Sequence, residues 1–140
     1  MVVSTLEHLY SNPLVTILLS VLALVMIGNS GLQIYMLNGP PILIEKELNH
    51  NGAAGYSLGP LIYLNPTEPA TRYRVLRHEY QHYMQTAVLS PLGFAVCYGW
   101  QEFFNGYDGN WFELDAYGTE SDGLEFKVFD WNSKGMMEVR

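Results

Sequence analysis

The chain has 140 residues, room for one compact domain or a smaller domain with an appendage. Hydrophobic residues make up 49% and charged residues 15%, which excludes a disordered chain and leaves more apolar surface than an ordinary small core absorbs. A formal charge of -7 with seven basic residues excludes nucleic acid as a partner held by charge, and the one cysteine, Cys97, has no internal disulfide partner and reads as a small buried hydrophobe.

Residues 14–27 read LVTILLSVLALVMI after Asn12-Pro13, an N-cap followed by proline at the first helical position. Fourteen residues reach only about 21 Å, but counting on through Leu37 gives about 36 Å of helix, enough for a tilted or kinked crossing of a bilayer. A cleaved signal peptide and a buried core helix compete with this reading. Glu7 and the absence of Lys or Arg before the run argue against the signal peptide, and no charged residue occurs between residues 8 and 44. The expectation is a membrane anchor over residues 1–38, contacting the bilayer through residues 14–37. Gly39-Pro40-Pro41 ends the helix and opens a second unit, residues 39–140.

Ile42-Leu43-Ile44 begins a short strand or an apolar turn, and Asn51-Gly52 with Gly55 marks a loop. Residues 56–64, YSLGPLIYL, carry a Gly-Pro inside an aromatic and β-branched run, which predicts an edge strand. Pro69 opens a helix, capped by Thr67 or Glu68, that runs to Leu89 before Ser90-Pro91. Residues 91–104 are strongly apolar and predict a buried or broken second helix; a turn-rich loop over 105–110 leads to a further helix from Asn110 through Tyr117. The tail from 123 to 140 has weak strand character. The fold class is α+β.

Residues 78–82 read His-Glu-Tyr-Gln-His. On a helix, residues four apart share a face, so His78 and His82 can hold one metal ion while Glu79, one step around, reaches a water at that ion. Neutral imidazoles suit zinc, one ion per chain, and Glu79 is then the general base for attack on a carbonyl. The bland alternatives are a solvated helix face with Glu79 paired to Arg74 or Arg77, and a structural metal. A third ligand is needed. The metzincin continuation fails because Gln85 and Val88 stand where it places Gly and His, and His8 and His50 lie upstream. Glu113 is the favoured candidate, on a helix whose small Ala116 allows close approach to the first. Its alternative role is the reciprocal half of a capping box begun by Asn110. Asp115 points away from Glu113 and suits support of a ligand; Glu120, Asp108 and Glu102 are further acids in reach. Gln85 lies one turn beyond His82 and can line the site. Tyr83, Tyr98, Tyr107, Tyr117 and His50 are all eligible oxyanion donors.

His78-Glu79-x-x-His82-x-x-Gln85 followed by Asn110-x-x-Glu113-x-x-Ala116 resembles the gluzincin-related minimal metallopeptidases of bacterial and phage open reading frames, over residues 56–116. The resemblance implies a zincin-like fold with two His ligands and a Glu ligand on adjacent helices, and an edge strand along the cleft that receives a peptide substrate. Tyr117 stands where the thermolysin-like version carries a supporting Asp. The expected function is zinc-dependent peptide hydrolysis by a membrane-attached chain; the competing one is a noncatalytic membrane or virion component that keeps the metal.

Overall fold

The computed structural model describes residues 13–47, 54–65, 69–121 and 123–140. Asn12, Thr67, Glu68, His8, His50 and the loop at Asn51-Gly52 lie outside them, and so do the helix caps and two histidines considered above. The described architecture is α+β. A mixed five-stranded sheet carries one long helix across it, with further helices on either side of that helix.

Helix α1 (Pro13–Asn38) is continuous through Gly28-Asn29-Ser30-Gly31, so the run is not broken there. At 26 residues it is about 39 Å long, and it is the one helix among the described residues long and apolar enough to cross a membrane, with a mean hydropathy of 2.1 in its most apolar window and nothing in that window buried. Its end is specified locally. The Gly39 N–H reaches the Tyr35 carbonyl at 2.7 Å, Asn38 Nδ2 donates to the Ile34 carbonyl, and Pro40-Pro41 cannot extend the helix.

Strand β1 (Ile42–Glu45) lies at the sheet centre, parallel to β3 (Leu61–Leu64) and β4 (Phe126–Asp130). Strands β2 (Gly55–Leu58) and β5 (Gly135–Val139) pair antiparallel with β3 and β4 and form the two edges. The predicted single edge strand over 56–64 is therefore a hairpin. Gly59, at φ +55, takes the first central position of a two-residue turn that needs a positive φ, and Pro60 the second. Of the two resulting strands only β2 is an edge.

Helix α2 (Pro69–Leu89) covers the sheet. Leu76, Tyr83 and Ala87 pack on Leu43, Ile62, Leu64, Val128 and Val139, while Tyr80 stacks on Phe126 at 3.8 Å between ring centroids. The period of 3.6 leaves His78, His82 and Gln85 on a different face, turned away from this core. The Tyr83 hydroxyl shares its proton between the carbonyls of Met36 and Gly39, each at 2.8 Å, and Gln33 Nε2 donates to the carbonyls of Ala87 and Val88. These contacts fasten the last turns of α1 to α2.

Helix α3 (Pro91–Asn105) starts after Ser90, whose hydroxyl accepts from the Gly93 N–H. It is an unbroken helix, but the expectation that it is buried fails: none of its residues is buried, and Cys97 is exposed. A 3-10 turn at Tyr107–Gly109 leads into α4 (Trp111–Thr119). The C-terminal tail forms the β4–β5 hairpin.

Candidate metal centre

Three helices bring the site together. From α2, the Nε2 atoms of His78 and His82 stand 3.2 Å apart. Glu113 of α4 straddles them, with Oε2 3.2 Å from His78 Nε2 and Oε1 3.3 Å from His82 Nε2. All three side chains are buried, and their ligand atoms lie within 4.8 Å of one another. Tetrahedral bonds of about 2.0–2.1 Å put ligand atoms roughly 3.3–3.4 Å apart, close to the separation of the two imidazole nitrogens and to that of each nitrogen from its nearer Glu113 oxygen. Glu113 Oε2 has no hydrogen-bond partner among the described residues although it is fully buried. An orphaned carboxylate oxygen facing two imidazole nitrogens is the environment a divalent cation completes.

The alternative role for Glu113 is excluded by geometry. Asn110 caps α4 by accepting the Phe112 N–H at 3.1 Å, but its own N–H goes to the Tyr107 carbonyl and not to Glu113. Asn110 is fully buried, and so is Ala116, which presents no side-chain bulk where α4 approaches α2.

The outer nitrogens of both histidines are fixed. His82 Nδ1 is 2.9 Å from Gln85 Oε1, and the Gln85 amide is itself oriented because its Nε2 donates to Asp115 Oδ2 at 2.8 Å and to the Phe112 carbonyl at 3.1 Å. Gln85 Oε1 must then accept, so His82 carries its proton on Nδ1 and turns the Nε2 lone pair inward. His78 Nδ1 is 3.1 Å from Glu120 Oε1, with the same consequence. Glu120 is in turn paired with Arg74 at 3.2 Å. Asp115 thus acts through Gln85, and it also accepts from Gln81. Tyr117 makes no bond to a ligand nitrogen; its ring packs edge-on against His78 at 4.7 Å. Glu120 supplies the support that sequence reasoning left unassigned at Tyr117. Asp108 and Glu102 are exposed and outside the cluster.

Replacing Gln85 with Ala is expected to weaken metal affinity about 10–100-fold without unfolding the chain, measured by competition with a chromophoric chelator. Unchanged affinity would remove Gln85 from the support of His82.

Burial alone would push the Glu113 carboxyl up, but its polar contacts with His78, His82, Tyr98 and Tyr107 outweigh it and hold the group well below the usual carboxylate range. Burial would push His82 down, yet its bonds to Glu113 and Gln85 raise it. The Tyr98 hydroxyl donates to Glu113 Oε1 at 2.6 Å, a contact that no spacing among ten tyrosines points to. Tyr83 is committed to the α1 carbonyls.

Glu79 is buried beside the cluster, and desolvation pushes its carboxyl up to about 7, against the pull of His82 and His78 and a hydrogen bond with Ser57. It lines a cleft of about 360 Å³ with Gly55, Tyr56 and Ser57 of β2 on one side and Phe94, Tyr98 and Tyr107 on the other. A second lobe of about 280 Å³ shares His78, Glu79, Gly55 and Tyr107 and continues past Arg74, Tyr117 and Glu120. Among the described residues strand β2 pairs only with β3, which leaves its outer backbone edge unpaired beside the first lobe. A Cβ on Gly55 would lie 2.7 Å from Leu64 and 2.9 Å from the Tyr63 carbonyl, so glycine is needed for this edge to sit where it does. No family model, curated protein or solved structure matches this chain.

Proposed function

We propose that this chain is a zinc-dependent peptidase of zincin type, attached to a membrane through α1. The observation that carries the proposal is the buried Glu79 carboxyl beside the His78–His82–Glu113 cluster, in a cleft bordered by an open strand edge. A structural metal site has no use for a carboxylate buried beside the ligands at the wall of an open cleft, whereas attack by water on a carbonyl requires a general base there.

His78, His82 and Glu113 would hold the ion, and three protein ligands leave a position for water or substrate. Zinc held there supplies Lewis acidity toward a water molecule and toward a peptide carbonyl. An extended peptide adds to the open edge of β2 through backbone hydrogen bonds, which lays its scissile bond across Glu79 between the two lobes. Glu79 takes a proton from the attacking water as the C–O bond forms. It returns that proton to the amide nitrogen as the C–N bond breaks, so the carboxylate is regenerated. Tyr107, which borders both lobes, would turn its hydroxyl from Glu113 to the carbonyl oxygen as charge develops.

The test is direct. The zinc-loaded protein is incubated with a mixture of unstructured peptides, and new amino termini are read by mass spectrometry. Cleavage that stops on adding 1,10-phenanthroline and returns with zinc is expected. A zinc-loaded protein that cleaves nothing in that mixture would overturn the peptidase reading in favour of a noncatalytic membrane or virion component.

A further inference from the structure

Helix α3 has two faces. Phe94 and Tyr98 turn inward to the cleft, and the opposite stripe, Leu92, Val96, Trp100 and Phe103 at spacings of four, four and three, faces out. Val96 and Trp100 are each 64% exposed and Phe103 82%. Scattered exposed apolar residues are ordinary, but a continuous apolar stripe along a whole helix, ending in two aromatic residues, is not. The surrounding sequence is also nearly without charge: between Arg77 and Glu102 the one Asp, Glu, Lys or Arg is Glu79, and it is buried.

The position of α3 relative to α1 says what covers the stripe. The Leu92 N–H, in the first turn of α3, donates to Asn29 Oδ1 of α1 at 2.7 Å. A hydrocarbon core of about 30 Å takes about 20 helical residues, so a crossing that begins at Pro13 emerges near Gln33. Asn29 then lies about 6 Å inside that surface, within the roughly 5–10 Å to which an interfacial amphipathic helix sinks. Gln33, at the surface, holds the end of α2 by its carbonyls. Tryptophan and phenylalanine on the outward face fit the interfacial belt.

We infer that the outer face of α3 lies in the headgroup–acyl boundary of the same bilayer that α1 crosses, so that the metal cleft opens one helix diameter, about 10 Å, from the lipid. The inference rests on the reading of α1 as a membrane span. It narrows the substrate to extended segments close to a membrane surface, because longer-range access to β2 is screened on the α3 side by lipid.

The experiment uses full-length protein in phosphatidylcholine vesicles, with and without bromine on the upper acyl chain, and variants that each keep one tryptophan. Trp131, which sits under Lys134 at 3.6 Å on the β4–β5 turn, is the aqueous control. With Trp100 as the one tryptophan, bromolipid is expected to quench at least half of the emission, and with Trp131 alone almost none. Val96→Asp with Phe103→Asp should abolish the Trp100 quenching while the protein still floats with vesicles through α1. Protein that floats but leaves Trp100 as unquenched as Trp131 overturns the placement of α3 and leaves α1 standing. Protein that fails to float overturns the α1 reading and the inference with it. Cross-linking of two chains through Cys97 by a short bismaleimide, with Trp100 unquenched, would instead assign the stripe to a second copy.

Discussion

Replacing Glu79 with Gln is expected to abolish peptide cleavage, by a factor on the order of 10²–10⁴, while the protein keeps its zinc. The substitution preserves size and a hydrogen-bonding oxygen toward Ser57 but cannot accept the proton of water, so only the base is removed. The metal-stripped protein gives a second readout that does not depend on turnover. Burial raises Glu79 from 4.5 to about 7, and a carboxyl raised on folding costs stability as it ionises: nothing below pH about 4.5, growing between 4.5 and 7, and complete above 7. The full cost is roughly 3 kcal/mol at 1.36 kcal/mol per pKa unit. Metal-stripped Glu79→Gln should therefore match the parent chain in denaturant stability at pH 4 and exceed it at pH 8. Retained activity in the variant would remove Glu79 from the mechanism. Equal stability at pH 8 would show that the carboxylate is not desolvated as the structure places it.

The parts of this site that repeat at helical spacing were legible in the sequence. His78 and His82 are four apart inside a run bounded by Pro69 and Ser90-Pro91, so their common face followed from the period alone. Glu113 was legible for a different reason: Asn110 marks a helix start, and the structure confirms the cap while turning the glutamate toward the histidines instead of back on the cap. Glu120 was not. It follows the last residue of α4, and it reaches His78 only because α4 stops at Thr119 and its chain turns there beside α2, a tertiary event without a local signal. Tyr98 was hidden among equals, since only the tertiary packing of α3 on α2 brings its hydroxyl to Glu113. The apolar character of α3 was plain, but apolar sequence reads as buried, and the rule fails where the other side of the helix has no protein to pack on. The hairpin was missed through one dipeptide. Gly59-Pro60 inside a β-rich run of nine residues reads as an interruption of one strand, whereas it is the two-residue turn between two strands of four, the first beginning one residue earlier at Gly55.

Glu113→Ala is expected to release the metal, which tests the cluster apart from catalysis. The parent chain should hold about one zinc, and the variant essentially none after gel filtration against a weak chelator. Removing the carboxylate leaves two imidazoles, a ligand set short of what a zinc site uses, and also takes away the charge that holds the Tyr98 hydroxyl. Stability reports the same event. A ligand present at about 100 times its Kd stabilises the folded state by about 2.7 kcal/mol, so chelation should lower the Tm of the parent chain by on the order of 10 °C. The Tm of Glu113→Ala should not respond to chelator, because it has no metal to lose. Asp108→Asn, at an exposed position outside the cluster, should respond as the parent does. Zinc that survives in Glu113→Ala, with a chelator-sensitive Tm, would move the third ligand elsewhere, and Glu120 would be the first place to look, since it already bonds His78 and lies within one turn of the end of α4. Loss of zinc from Glu113→Ala together with its retention in Glu120→Gln at about 10–100-fold weaker affinity would separate the ligand from the residue that orients one.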